Sequence, residues 1–172
     1  MFIKKRKNKI GFTLIELLIV IAVIAVLSSL VFVALNPLAR FQDSRNAKRW
    51  SDVNAILSAI KLHQIDHGGL YDETISDLSP NLYYQIGEDD EGNCADACTD
   101  SNVSLQDDCV DLDNFVSGEY LLDIPIDPNA TGASYNETRY YIMKNENNII
   151  TVGACSVELG SASSIQNISV SK

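Results

Sequence analysis

One stretch dominates what this chain can become: the 24 residues from Phe12 to Leu35, nearly all apolar and interrupted by Thr13, Glu16, Ser28 and Ser29. At about 1.5 Å rise per residue they make a helix of roughly 36 Å, enough to cross a hydrocarbon core of about 30 Å. A single span in lipid must satisfy its own backbone hydrogen bonds, so helix is the expected conformation. The segment before it carries Lys4, Lys5, Arg6, Lys7 and Lys9 and no acid. Such a basic flank predicts a cytoplasmic N-terminus with the bulk of the chain on the far side. An ordinary secretory signal peptide also begins this way, but its apolar core usually spans about 7–15 residues. No small-x-small cleavage site with a polar lead-out follows here.

Glu16 is the anomaly. A carboxylate in an apolar span costs roughly 2.5–3.5 kcal/mol at mid-bilayer and less near the headgroups. It either stays wet at the interface or meets a cationic partner, and intramembrane acids are functional candidates by default.

The basic leader, Gly11-Phe12-Thr13-Leu14-Ile15-Glu16 and the apolar helix together resemble the class III signal of type IV pilins and pseudopilins. The resemblance implies that a prepilin peptidase cuts between Gly11 and Phe12 and that Phe12 becomes the N-methylated terminus. It implies that Glu16 pairs with the Phe12 amine of a neighbouring subunit during filament assembly. The partners implied are other pilin or pseudopilin subunits, the peptidase, an inner-membrane assembly platform and lipid. The implied location is the inner membrane, then a periplasmic or surface filament. The resemblance is strong to about Ala34 and looser to Gly69.

The expected organisation is a leader over 1–11, a transmembrane and assembly helix over 12–35, an amphipathic continuation over 36–69, and a globular region over 70–172. Asn36-Pro37 ends or bends the first helix, because proline lacks the backbone donor and clashes with the preceding turn. Beyond Arg40, Trp50, Val53, Leu57 and Ile60 recur at helical spacing with Ile56 alongside. Asp43, Arg45, Lys48, Arg49, Asp52 and Lys61 form the predicted polar face, and Gly68-Gly69 stops the helix. The apolar stripe needs a sheet to cover it. The fold expected is therefore α+β, a long N-terminal helix packed on a small antiparallel sheet.

Leu70 to Gln85 reads as a connector with a helical turn near Thr74–Leu78, closed by Pro80. Residues 87–113 read as a long acidic loop containing three of the four cysteines. Ile124-Pro125-Ile126-Asp127-Pro128 is held extended by its prolines and resembles the connector before the pseudopilin sheet. Tyr135, Arg139–Met143 and Ile149–Val152 read as strands, the last two joined by a turn at Asn145 to Asn148, with a weak edge strand or disorder after Cys155.

Cys94, Cys98, Cys109 and Cys155 all fall on the predicted outer side. An even count in an exported domain reads as disulfides, with three possible pairings. At least one bridge is expected to close the 94–109 region. Zinc would want a partner pair and a nearby His that Cys94-x3-Cys98 lacks. His63 and His67 share a helical face, but Gln64 stands where a zinc protease needs its general base, so a polar helix end is the reading preferred.

Among the acids, Asp89, Asp90, Asp107, Asp108, Asp111 and Asp113 are weak calcium candidates, with Asp127 a further one; they show no EF-hand spacing. No other cofactor is indicated. Net charge is −10, and losing the five leader cations would make it −15. That balance argues against direct nucleic-acid binding, which needs clustered Lys and Arg. No nucleophile–base pair or phosphate loop is evident, so the chain reads as a structural subunit and not an enzyme. The alternative is a single-span extracytoplasmic binding or sensor protein that never polymerises.

Overall fold

A computed structural model describes residues 11–88, 94–95, 98 and 102–172. The chain divides into two compact units, Met1–Pro37 and Leu38–Lys172.

The first unit is helix α1, Leu14–Leu35. It begins two residues later than the apolar run because Thr13 caps it. It ends at Asn36, whose φ of 40° places it in the left-handed region that asparagine tolerates better than most residues. Pro37 then opens helix α2, Pro37–Asp66. Proline suits a first helical position because its missing N–H has no intrahelical acceptor there. The expected break at Asn36-Pro37 is thus present. Asp66 ends α2, and Gly68 and Gly69 follow with φ of 70° and 93°.

The second unit packs α2 on a five-stranded sheet. Its strands are β1 Tyr83–Ile86, β2 Leu105–Val110, β3 Tyr140–Lys144, β4 Ile150–Ala154 and β5 Ser169–Ser171. The spatial order is β2-β1-β3-β4-β5. Short helices α3, Glu73–Ser76, and α4, Asp113–Ser117, fill the connections. Three pairings are antiparallel, but β1 and β2 run parallel, so the sheet is mixed where an antiparallel one was expected. The physical reason is the connection spanning 87–104, long enough for the crossover that parallel neighbours require. The turn at Asn145 to Asn148 joins β3 and β4 as expected, with Asn145 Oδ1 accepting from the Asn147 and Ile149 amides. β5 is a short edge strand, the first of the two outcomes expected after Cys155.

Val53, Ile56, Leu57 and Ile60 of α2 meet Ile86, Tyr140, Ile142, Ile150 and Val152 of the sheet in the main core. Ile75, Leu112 and Phe115 close its side. At about 25 cal/mol per Å² of apolar surface removed from water, burying side chains of this size contributes about 1.5–3 kcal/mol each. Trp50, expected within the stripe, is 42% exposed. Arg49 and Asp52, expected on the wet face, are buried. Side chains alternate across a strand, so Tyr141 points away from its neighbours Tyr140 and Ile142. It packs with Val103, Leu105 and Cys155 in a second cluster, its ring lying where Gly153 lacks a Cβ.

Candidate functional site

Gly11, Phe12 and Thr13 lie exposed ahead of α1. Nothing among the described residues comes within 4 Å of where a Gly11 Cβ would sit, so the chain itself does not demand glycine there. Thr13 and Glu16 close a reciprocal cap. The Thr13 amide and hydroxyl donate to Glu16 Oε2 at 2.8 and 2.7 Å, and the Glu16 amide donates to Thr13 Oγ1 at 3.3 Å. This is the capping box written in the sequence as Thr-x-x-Glu, a signal the apolar reading passed over. It explains how an acid is tolerated at the head of an apolar helix. Its charge faces the positive end of the helix dipole, and the cap satisfies two donors. Oε2 takes both bonds, and Oε1 accepts none among the described residues.

Past this cap, α1 buries no residue in the single chain. Leu14, Ile15, Val20, Ile24, Leu27, Val31 and Phe32 are all more than 45% exposed. A helix apolar all round is at rest only inside lipid or among other apolar helices. The length and composition of this helix are sufficient to cross a membrane.

In the second unit, polar chemistry concentrates on α2. Arg49 is fully buried and makes a two-pronged bond to Asp127, Nε to Oδ2 at 2.7 Å and Nη2 to Oδ1 at 2.8 Å. Its Nη1 donates to Asn46 Oδ1 and Glu158 Oε2. Arg45 adds a second fork onto Glu158, at 2.7 and 2.6 Å. These bonds, Arg45's first, hold the Glu158 carboxyl below its ordinary value despite partial burial. Asp127 Oδ1 also accepts the amides of Asn129 and Ala130, so one carboxylate fastens both α2 and the turn after Pro128. Asp127 was grouped with the calcium candidates; here its oxygens are committed to Arg49 and the turn.

One helical turn on, Asp52 accepts from Tyr140 of β3 at 2.8 Å and pairs with Lys48. Burial, followed by the bond to Asp52, raises the Tyr140 phenol far above its ordinary value. The Asp52–Tyr140 bond ties α2 to β3, and the Arg49 cluster ties α2 to the segment before β3 and to the one after β4.

The cysteines pair as Cys94–Cys109 and Cys98–Cys155. The first closes the 94–109 region as expected, and the second ties it to the end of β4. Among the acid candidates, Asp89 and Asp90 lie outside the described residues. Asp107 and Asp108 stand exposed on β2, and Asp111 accepts the Asp113 amide as α4 begins. Among the described residues no three His, Cys, Asp or Glu side chains converge as a metal site. The His63 and His67 rings stack at 3.9 Å, and His63 packs edge-on against Tyr120 with Asp72 3.8 Å from its Nε2.

Residues 6–32 match the family model described as the prokaryotic N-terminal methylation motif. No curated protein and no solved structure matches the chain. The match covers the leader's end, the Gly11-Phe12 junction, the Thr13–Glu16 cap and most of α1. The N-terminal segment of this chain is the class III prepilin signal of type IV pilins and pseudopilins, and it precedes an α+β unit in which a helix packs on a small sheet.

Proposed function

We propose that the chain is a pilin or pseudopilin subunit, cut between Gly11 and Phe12, N-methylated on Phe12 and polymerised through α1 into a filament. The observation that carries this reading is the methylation motif running directly into a helix that the single chain leaves wholly uncovered. In this account α1 anchors the subunit in the inner membrane with its leader in the cytoplasm, until neighbouring helices replace lipid around it. The prepilin peptidase and an inner-membrane assembly platform are the partners required. Calcium in the acidic region is not needed by any step.

Cleavage would leave a cationic amine on Phe12, four residues ahead of Glu16. Glu16 Oε2 is occupied by its own Thr13, while Oε1 is available to the amine of a neighbouring subunit. Two opposite charges in lipid cost far less together than apart. Glu16→Ala removes the acid's own insertion cost, so membrane insertion and cleavage should persist. Within a filament it leaves each Phe12 amine buried and unpaired, a loss on the order of 3–5 kcal/mol per contact. The test is sheared-filament yield against total membrane protein for wild type and Glu16→Ala, with the assembly machinery present. Abolished filaments from a processed, membrane-bound variant support the reading, whereas equal yield refutes the role of Glu16.

A further inference from the structure

In a chain with 23 acidic and 13 basic residues, cations should find carboxylates easily. Arg40, Arg45, Lys48, Arg49 and Arg139 each do. Among the described residues ahead of Lys172, Lys61 and Lys144 are the two that form no ion pair, and both sit at the same place. A cavity of about 440 Å³ opens beside the C-terminal end of α2, with Gln64, Tyr71, Ser76, Lys144 and Asn148 on its walls. Among the described residues, no acidic one lines it.

Lys144 is 7% exposed, and its ammonium bonds the Ser76 carbonyl. An ammonium has three donors, and this acceptor takes one of them. Lys61 stands behind the wall. Its Nζ bonds Gln64 Oε1 at 3.2 Å and Tyr71 Oη at 2.5 Å, and lies 4.7 Å from the Tyr71 ring centroid. The Tyr71 hydroxyl donates a hydrogen bond to the Asn148 carbonyl at 2.8 Å, which fixes the ring. A buried cation facing neutral acceptors only is an unbalanced charge, and an entering carboxylate would offset it.

We propose that this cavity receives an acidic side chain from a second copy of the chain. The argument is charge complementarity. The chain is acidic overall, with a net charge of −10, and Asp107 and Asp108 are both exposed on edge strand β2. A pocket on one surface and an acid on another make a heterologous contact, the kind that propagates into open helical arrays. The inference deepens the filament reading and rests on it.

The test is zero-length carbodiimide crosslinking of full-length protein in membranes with its assembly machinery, using mixed 14N- and 15N-labelled chains. Mass spectrometry then identifies amides joining lysine to Asp or Glu across copies. The expected result is a mixed-isotope crosslink at Lys144 or Lys61, reduced to background in the Lys61→Gln/Lys144→Gln double variant. It should persist when Lys48, already paired with Asp52, is changed to Gln. Filament yield from the same samples separates the two ideas. Filaments lacking any crosslink at these lysines overturn the pocket and leave polymerisation standing. The crosslink in membranes that yield no filament supports the pocket as a contact between copies and overturns polymerisation. Neither filament nor mixed crosslink overturns both.

Discussion

Changing Asp127 to Ala tests whether the buried charge knot holds α2 in place. The substitution removes both prongs of the Arg49 bond, at 2.7 and 2.8 Å, between side chains 1% and 0% exposed. It also strips the acceptor from the Asn129 and Ala130 amides. Arg49 keeps Asn46 and Glu158, so it is not wholly abandoned. Breaking a buried pair from one side typically costs about 3–5 kcal/mol, because the remaining charge is left without its partner. For a unit the size of Leu38–Lys172, that corresponds to a fall in Tm of about 10–18 °C. The assay is thermal unfolding of full-length protein in detergent, followed by near-ultraviolet circular dichroism with the disulfides intact. Asp127→Asn keeps an acceptor for the two turn amides and should recover roughly 1–3 kcal/mol of the loss. A Tm drop below about 3 °C for Asp127→Ala would refute the assignment of this knot as a structural lock.

The alkaline limb of stability should belong to Tyr140. Its folded pKa is raised, so its contribution is fully present below the ordinary tyrosine value of about 10 and declines as pH climbs beyond it. Tyr140→Phe should cost about 1–2 kcal/mol at pH 7 and flatten that limb, read by unfolding between pH 7 and 11; an unchanged limb would exclude this phenol as its source. The disulfides should rank by the chain they close. Removing Cys98–Cys155, with a sequence separation of 57, should cost about 4 kcal/mol, and Cys94–Cys109, with 15, about 3. Thiol counts on denatured, unreduced protein check that all four cysteines are oxidised, and any free thiol in the wild type counts against it.

How much of this was legible depended on whether the governing interactions were local. α1 was plain because one property, apolar character, runs through nearly every side chain. The apolar half of α2 followed from its 3.6-residue period. Its polar half did not, because Arg49 and Asp52 are stabilised by partners 78 and 88 residues away, and periodicity treats any charge as wet. The β3–β4 hairpin announced itself through two runs of aromatic and β-branched residues on either side of an asparagine turn. β1 was read as connector because four residues with three buried in a row, Gln85 among them, show no alternation. β2 was hidden inside an acidic stretch, since an edge strand can leave Asp107 and Asp108 in water while Leu105 and Val110 anchor its ends. At the N-terminal site, the motif over residues 6–32 was legible from residue types, but the Thr-x-x-Glu cap does not stand out in a run read for hydropathy.

The most direct measurement of the central claim is the N-terminal mass of the protein extracted from the membrane of its native host. Removal of eleven residues from 172 leaves 161, and the account predicts a chain beginning at Phe12 and carrying one added methyl group on its amine. Because nothing among the described residues crowds a Cβ at position 11, Gly11→Leu should leave the fold intact and block that cut. A wild-type chain that retains Met1, or that is cut anywhere other than after Gly11, would contradict the account.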